Sequence, residues 1–311
     1  MAARLDAELV RRGLARSRRE AAALVAAGRV RVGGATVTRP AARADGDLEV
    51  DRPAGDAGWA SRAAHKLEGA LAALDAAGIE VPVADAACLD LGASTGGFTD
   101  VLLRRGARRV VAVDVGHDQL VDRLRTDDRV DVREGVNARD LEKADLGEPP
   151  AVVVGDLSFI SLGHVLPAVG RVAAADGSAL LLVKPQFEVG RDRLGAGGVV
   201  RSPALREDAV LGVAEAAARS GWTVRAVVPS ALPGPHGNRE FFLLLVRPAS
   251  VLGRAPGGPD EPSPGLRDAV RAAVAARVEP ATDDWSAPPT PTAYAVGTEL
   301  DHDDNDEGVG A

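Results

Sequence analysis

Residues 88–100 read CLDLGASTGGFTD, an apolar strand that ends in a glycine-rich turn and leads into a helix. The glycines from Gly92 to Gly97 follow the spacing G-x-x-x-G-G, which lets the backbone approach a ligand closely at the carboxyl end of a strand. About twenty residues later, the next strand ends in Asp114, where a carboxylate suits a ribose diol. These features predict a nucleoside-type cofactor bound at the first strand of a doubly wound sheet.

The glycine loop also distinguishes two classes of nucleoside cofactor. It lacks the G-x-G-x-x-G spacing that cradles a pyrophosphate, and S-adenosylmethionine, unlike NAD, has no pyrophosphate. The sequence therefore favours S-adenosylmethionine. The residues expected to contact this cofactor are Asp90, Gly92, Ser94, Thr95, Gly96, Gly97, Phe98, Asp114 and Asn137. For Asn137, which follows the third strand, a simple turn residue is an equally good interpretation.

Apolar strands alternate with helices from about residue 61 to residue 248. The candidate strands are ACLDLG, RRVVAVDVG, VDVREG, AVVVGDLSF, ALLLVKPQ, TVRAVVPS and EFFLLLVRP. Strands and helices in alternation form a mostly parallel, doubly wound sheet. The last strand follows its predecessor so closely that an antiparallel insertion fits better. We therefore expect an α/β fold built on a seven-stranded, Rossmann-like sheet.

Residues 1–50 predict a separate and smaller α+β unit. Two short amphipathic helices, in RLDAELVRRG and RREAAALVAAG, precede RVRVGGATVT, which is typical of a hairpin that turns at Gly33-Gly34. Residues 51–60 then have the composition of a linker. Residues 249–311 are rich in Pro, Gly and acid, and we expect them to be mostly disordered apart from a helix over 265–278.

The small N-terminal unit is basic although the chain as a whole has a formal net charge of −8. Residues 1–44 contain ten arginines against three acidic residues, a local charge of +7. Such a basic surface predicts contact with nucleic-acid phosphates. The candidate RNA-binding residues are Arg4, Arg11, Arg12, Arg18, Arg19, Arg29 and Arg31. The alternative is that about half of them are ordinary solvated arginines.

The composition argues against several classes of protein. Cys88 is the only cysteine, so neither an internal disulfide nor a cysteine-based metal site is expected, and the five histidines are scattered. The N-terminus lacks the apolar region of a signal peptide, and no window approaches the roughly 18–20 apolar residues of a membrane span. We therefore expect a cytoplasmic protein that binds no metal and does not contact membranes. We also expect a monomer, although the sequence leaves the oligomeric state open.

Four charged residues lie at the ends of apolar elements. Asp156 and Lys184 end the fourth and fifth candidate strands, Glu240 opens the last one, and Lys66 lies on a helix before the first. Each of them alone is most simply a surface charge. Two strand-end charges at matching depth, however, reach the same crevice of a doubly wound sheet.

Lysines and carboxylates in one crevice suit methyl transfer to a hydroxyl group. A ribose 2′-hydroxyl is a poor nucleophile until its proton is drawn off. A buried lysine beside a second ammonium can act as the base or can stabilise the developing alkoxide. Other methyl acceptors fit less well, because the sequence has no N-P-P-Y motif for exocyclic amines and Cys88 lies inside a buried strand.

Taken together, these segments resemble a known family over about residues 4–248. RLDAELVRRGLARSRREA followed by RVRVGG resembles an S4 RNA-binding domain. SRAAHKL, LDLGASTGGFTD, DVG at 114–116, DLSFISL, LVKPQFEVG and GPHGNREFFL resemble the TlyA-type rRNA methyltransferases. In that family an S4 domain is joined to an FtsJ-like methyltransferase domain, which implies a small S4 domain at 1–50, a linker at 51–60, a Rossmann-like methyltransferase domain at 61–248 and a tail at 249–311.

The resemblance implies 2′-O-methylation of cytidine in 16S or 23S ribosomal RNA, or in both. It implies S-adenosylmethionine as the donor and ribosomal RNA or ribosomal subunits as the partner. The Lys-Asp-Lys-Glu tetrad of the family falls on Lys66, Asp156, Lys184 and Glu240. Two alternatives stay open: an inactive rRNA-binding or ribosome-assembly factor, and a membrane-active protein, since the family also carries the label hemolysin.

Overall fold

The computed structural model describes residues 3–12, 14–15, 18–51, 58–234, 236–247, 265–277 and 288–297. Within these residues the chain forms two units, each with its own sheet and its own hydrophobic core. The α/β class and the small N-terminal α+β unit are confirmed.

The N-terminal unit packs two helices against a short antiparallel sheet. Its elements are α1 (Leu5–Arg11), α2 (Arg18–Ala26), β1 (Val30–Val32), β2 (Ala35–Val37) and β3 (Leu48–Val50). The strands lie in the order β2-β1-β3 in the described part of the chain, so the predicted hairpin is present and a third strand joins it. The core consists of apolar residues spaced at three or four along each helix, such as Leu5 and Leu9 of α1, which are fully buried.

The second unit is a doubly wound sheet with helices on its faces. Its helices are α3 (Ala63–Ala76), α4 (Gly97–Arg104), α5 (Asp122–Arg125), α6 (Lys143–Leu146), α7 (Leu166–Val172), α8 (Pro185–Glu188), α9 (Pro203–Arg219) and α10 (Leu266–Ala275). Its strands are β4 (Ala87–Leu91), β5 (Arg109–Asp114), β6 (Val130–Glu134), β7 (Val152–Gly155), β8 (Ser178–Val183), β9 (Thr223–Pro229), β10 (Phe241–Val246) and β11 (Tyr294–Ala295). All seven predicted strands are therefore present.

The strand order places the crevice at β4. Within the described residues the eight strands run β11-β9-β10-β8-β7-β4-β5-β6. The five strands from β8 to β6 are mutually parallel, while β10 is antiparallel to both of its neighbours. Because β5 lies on one side of β4 and β7 on the other, the chain leaves β4 and β7 in opposite directions. In doubly wound folds ligands bind at this switch point.

The register brings the ends of four elements together. In the parallel part, Leu91 of β4 is opposite Gly155 of β7, so both strands stop at the same level. In the antiparallel part, Phe241 of β10 is opposite Val183 of β8. Consequently Glu240, just before β10, and Lys184, just after β8, emerge at one end of the sheet.

The described parts of the predicted tail and linker differ from expectation at two places. Tyr294–Ala295 form β11, an eighth strand that pairs with β9, although we expected disorder there. Its two residues are too few for a periodic pattern to indicate a strand. Trp59 and Ala60, placed in the linker, are buried in the core of the large unit. The predicted helix over 265–278 is present as α10.

Candidate active site

Four charged side chains form a continuous chain of alternating charge at the carboxyl end of the parallel strands. Lys184 Nζ lies 2.5 Å from Asp156 Oδ1. Asp156 Oδ2 is 4.0 Å from Lys66 Nζ, which donates a 2.6 Å hydrogen bond to Glu240 Oε2. The structure thus brings together all four residues that the sequence singled out.

The four side chains are largely withdrawn from water. The exposed fraction is 6% for Lys66, 9% for Lys184 and 0% for Glu240. A buried ammonium or carboxylate costs several kcal/mol unless it is paired, and here each charge has a partner of opposite sign. Two ammonium groups and two carboxylates leave the group with no net charge.

Lys184 owes its position to the residue that follows it. Pro185 cannot donate to a strand ladder and instead begins helix α8 at its first position. The strand therefore stops at Val183, and the lysine side chain leaves the sheet. Lys184 Nζ also donates a 2.8 Å hydrogen bond to Ser158 Oγ in the loop after β7. Its contact with Asp156 is a close ion pair and not an aligned hydrogen bond.

The charges form one wall of a cavity of about 800 Å³. The glycine loop also lines this cavity, through Gly92, Ser94, Thr95, Gly97 and Phe98. Further lining comes from Ser158, Phe159, Gln186, Phe187, Gly197, Gly198, His236 and Asn238. A cavity of this size has room for a nucleoside-sized ligand and part of a second molecule.

Close packing explains the glycines of the loop. Gly92 has φ +80°, and a Cβ there would lie 2.9 Å from the carbonyl oxygen of Asp156. A Cβ at Gly97 would clash with Ser61 Oγ and lie 3.0 Å from the backbone nitrogen of Ala64. The loop is therefore held tightly between the end of β7 and the start of α3, with no room for side chains at these positions.

Four of the nine residues predicted to contact the cofactor are not among the described residues that line the cavity. They are Asp90, Gly96, Asp114 and Asn137. A Cβ on Gly96 would collide with the side chains of Leu120 and Leu124 on the other side of the loop. The Asn137 side chain accepts a 3.2 Å hydrogen bond from Arg139 N and caps a short 3₁₀ turn, which is the alternative interpretation of that position.

Asp90 and Asp114 act on the shape of the loop. Asp90 is fully buried and accepts a 2.7 Å hydrogen bond from Thr99 Oγ1 of α4. Burial raises the pKa of Asp90 to about 7, against the opposing effect of the Thr99 hydrogen bond. Asp114 accepts hydrogen bonds from Ser94 N at 2.8 Å and Gly116 N at 2.7 Å. Asp114 therefore supports the glycine loop directly, and Asp90 joins the strand before the loop to the helix after it.

Comparison with known proteins gives two family matches. Residues 3–50 match the S4 domain, and residues 59–247 match the FtsJ-like methyltransferases. Over 244 residues the chain is 52% identical to the 16S/23S rRNA (cytidine-2′-O)-methyltransferase TlyA of Mycobacterium tuberculosis, with 78% of this chain and 89% of the relative covered. The chain belongs to the TlyA family of FtsJ-like methyltransferases.

Two other similar proteins carry a different label. Hemolysin A of Brachyspira hyodysenteriae is 37% identical over 240 residues, which cover 77% of this TlyA-family chain and 98% of the relative. A solved structure from Streptococcus thermophilus that bears a hemolysin name is 35% identical, with a TM-score of 0.65. The match covers 88% of this chain and 94% of the S. thermophilus chain. TlyA-type and hemolysin names thus occur on the same fold.

The FtsJ-like family implies S-adenosylmethionine as methyl donor, and the residues of this TlyA-type site fit that molecule. Five residues of the glycine loop line the cavity, so a ligand there can lie against this segment. Asp114 lies at the carboxyl end of β5, beside Ser94 of the loop. The cavity is large enough for the donor together with an acceptor nucleotide.

An exposed aromatic residue that the sequence analysis did not select stands beside the tetrad. Phe159 is 92% exposed and has φ +65°, a conformation rarely adopted by a bulky residue. Its ring centroid lies 5.3 Å from that of Phe187, which also lines the cavity. Phe159 lies in the DLSFISL segment, where the sequence predicted only Asp156 as a site residue.

On the N-terminal unit, two buried carboxylates of α1 each hold arginines at the surface. Asp6 accepts hydrogen bonds from Arg4 at 3.0 Å and from Arg18 at 3.2 Å. The hydrogen bond from Arg4 is the main cause that lowers the pKa of Asp6 to about 2. The arginines themselves remain more than half exposed.

Glu8 holds a second pair of arginines, because its carboxylate accepts hydrogen bonds from Arg11 at 2.5 Å and from Arg12 at 2.7 Å. Of the other candidates, Arg31 lies 3.7 Å from Glu49, and Arg29 is partly buried. The side chain of Arg19 lies outside the described part of the structure. Most of the candidate RNA-binding arginines therefore have an acidic neighbour as well as an exposed guanidinium.

Proposed function

We propose that this chain transfers the methyl group of S-adenosylmethionine to the ribose 2′-hydroxyl of a cytidine in 16S or 23S ribosomal RNA, or in both. The observation that carries the proposal is the chain of alternating charge from Lys184 to Glu240, which lines the same cavity as the glycine loop. The M. tuberculosis relative, 52% identical, has this activity in its name.

On the donor side, the residues proposed to hold S-adenosylmethionine are those of the glycine loop that line the cavity. They are Gly92, Ser94, Thr95, Gly97 and Phe98. When bound, the donor supplies an electrophilic methyl group. The protein's part is to hold the donor and the hydroxyl in line, which can account for a large share of the rate. The hydrogen bond of Asp114 to the loop and that of Asp90 to α4 serve that rigidity.

On the acceptor side, Lys184 and Lys66 are the residues proposed to act on the 2′-hydroxyl. As the 2′-oxygen bonds to the methyl carbon, the methyl–sulfur bond would break, the donor would leave as S-adenosylhomocysteine and the hydroxyl proton would pass to solvent water. The two ammonium groups, in a largely buried site, stabilise the negative charge that develops on the oxygen. Asp156 and Ser158 hold Lys184 in one position, and Glu240 holds Lys66. Because these contacts already exist, little reorganisation is needed during the reaction.

For the substrate, we propose ribosomal RNA or ribosomal subunits, recruited by an S4 domain at residues 1–50 and methylated by a domain at residues 61–248. Phosphate contacts from exposed arginines would supply affinity. A flipped-out base would stack on the exposed ring of Phe159. We further propose that the protein works as a cytoplasmic monomer.

Among the described residues, no helix is both long and apolar enough to cross a membrane. The described residues therefore contain no transmembrane helix that would account for the hemolysin names of two similar proteins. The buried tetrad favours methyl transfer, because a protein that only binds RNA or lipid has no need for two paired lysines inside a cavity.

The test is the transfer of labelled methyl from S-adenosylmethionine to purified ribosomal subunits and to protein-free rRNA. Lys184→Ala is compared with wild type and with Lys143→Ala, which removes an exposed lysine on α6. Wild type and Lys143→Ala are expected to label rRNA at a ribose 2′-oxygen. Lys184→Ala is expected to give no label while donor affinity, measured by calorimetry, stays within about twofold, because Lys184 faces the acceptor.

Two results would contradict these assignments. Loss of donor affinity in Lys184→Ala would place that lysine on the donor side. Tight RNA binding by wild type without label on any substrate would favour an rRNA-binding factor over an enzyme.

A further inference from the structure

Three consecutive residues before β10 reach three different parts of the large unit. Asn238 is buried, and its side chain accepts a 2.9 Å hydrogen bond from Val200 N and donates one of 2.9 Å to Gly198 O. Asn238 thereby ties down a loop that lines the cavity. Arg239 points to α10, and Glu240 points to the tetrad.

Arg239 is bonded to the end of a helix. Its guanidinium donates to the carbonyl oxygens of Val274 at 2.7 Å and Ala276 at 2.5 Å. These carbonyls belong to the last turn of α10 and the residue after it, where helix carbonyls lack intrahelical donors and the helix dipole is negative. A cation with two donors in a fork suits this position. The helix lies beyond residues 59–247, the segment matched by the methyltransferase family.

Glu240 is seated without spare room. Its carboxylate accepts hydrogen bonds from Lys66 at 2.6 Å and from Gln186 at 3.4 Å. A Cβ added to Gly234 would clash with the same carboxylate. Its backbone oxygen accepts a 2.8 Å hydrogen bond from Ser230 N. A shift of the backbone at Arg239 would therefore displace the Glu240 carboxylate, which holds Lys66.

We propose that Arg239 is a positioning residue for Glu240, and that α10 takes part in the reaction by anchoring this arginine. The proposal rests on the methyl-transfer function proposed above. The two hydrogen bonds from Arg239 to α10 fix the backbone next to Glu240, whose own side chain extends to Lys66. A misplacement of about 1 Å in a catalytic group costs up to about 10²-fold in rate. The competing interpretation is that Arg239 only attaches α10 to the sheet.

The experiment uses the full chain with Arg239→Ala, Arg239→Lys and the control Arg271→Ala. Arg271 lies on the same helix, is 69% exposed and contacts only Asp268, at 3.9 Å, among its described ion pairs. We expect kcat for methyl transfer to fall roughly 10- to 100-fold in Arg239→Ala. The KM for RNA and the donor Kd should stay within about twofold, since the residues proposed to bind RNA and the donor are untouched. Arg239→Lys, with one ammonium for two carbonyls, should recover part of kcat, and Arg271→Ala should match wild type.

The split between kcat and stability decides between the two interpretations. A wild-type kcat in Arg239→Ala with only a lower melting temperature would show that Arg239 merely attaches the helix. Equal losses of kcat and donor affinity would also overturn the proposal. If Arg239→Ala does not fold, Arg239→Lys decides alone: a reduced kcat at wild-type melting temperature supports the proposal, and a wild-type kcat overturns it. An inactive wild type would instead contradict the proposed function itself.

Discussion

The tetrad and the surface of the N-terminal unit both place a carboxylate between two cations, but the cations differ in exposure. In the cavity, Asp156 lies between two lysines that are 6% and 9% exposed. On α1, Asp6 lies between two arginines that are 55% and 62% exposed. An exposed cation is held only weakly by its partner, whereas a buried ammonium is fixed by the cost of separating it from its counter-charge. The exposure of the cations therefore distinguishes a closed reaction site from a surface whose guanidinium groups are open to RNA phosphates.

The largest effect should come from breaking an ion pair of the tetrad, and breaking an exposed pair on the N-terminal unit is the comparison. Lys66→Met leaves Glu240 buried with one weak partner and should cost about 3 kcal/mol of unfolding free energy together with all methyl transfer. Arg31→Met removes half of an exposed pair and should leave the unfolding free energy within about 0.5 kcal/mol of wild type. Urea unfolding measures both. Equal losses for the two variants would remove the distinction between the regions.

The pH dependence of stability should also differ between the large unit, which holds Asp90, and the N-terminal unit, which holds Asp6. The pKa of Asp90 is about 7 in the folded chain, above its unfolded value of about 4, so the native state binds the proton more tightly. Stability from this group is present below about pH 4 and is lost as pH rises through about pH 7. Asp6, with its pKa lowered to about 2, contributes the opposite slope, and only below about pH 4.

Asp90→Asn should therefore flatten the unfolding free energy between about pH 4 and pH 7. Burial also raises the pKa of Glu188, which leaves a smaller slope of the same sign. Urea unfolding of wild type and Asp90→Asn at several pH values tests this. An unchanged slope in the variant would mean that Asp90 is ionised in the folded protein at neutral pH.

A smaller effect should follow from one added methyl group in the loop. Gly97→Ala pushes a Cβ against Ser61 and should weaken S-adenosylmethionine binding about tenfold, because overpacking of this kind costs 1–3 kcal/mol. Gly212→Ala, in α9 with no described atom within 4 Å of the new Cβ, is the matched control. Calorimetry with the donor compares them. Wild-type affinity in Gly97→Ala would show that the loop adapts and is not rigid.

The smallest effect should be at the N-terminal surface. Arg11→Gln removes one exposed guanidinium and should weaken rRNA binding a few-fold, with the salt-dependence slope lower by about 0.7–0.9. Arg267→Gln, an exposed residue on α10, should change neither quantity. Filter binding at several salt concentrations gives both slopes. A loss in Arg11→Gln that does not vary with salt would mean that Arg11 does not contact phosphate.

Asp156 and Lys184 could be placed in one crevice from sequence because parallel strands end at one level. A charge directly after an apolar run, as at Lys184, is visible without a structure. The division of labour within the glycine loop could not be predicted, since Gly92 and Gly96 look alike in sequence but face opposite sides. Asp90 likewise reads as a ligand contact, although it points into the core. Arg239 escaped notice because its partners are backbone carbonyls about 35 residues away, which no pattern records.

The two edges of the large sheet are protected in different ways. β11 pairs with the middle of β9, and Val296 N donates a further hydrogen bond to Arg225 O, so the tail covers backbone groups that another chain could otherwise pair with. β6 has no such cover among the described residues, but carries Asp131 and Arg133, linked at 2.8 Å. Charged side chains on an outer strand discourage pairing with a second molecule. A short piece of tail and one ion pair therefore guard the protein against aggregation through its sheet.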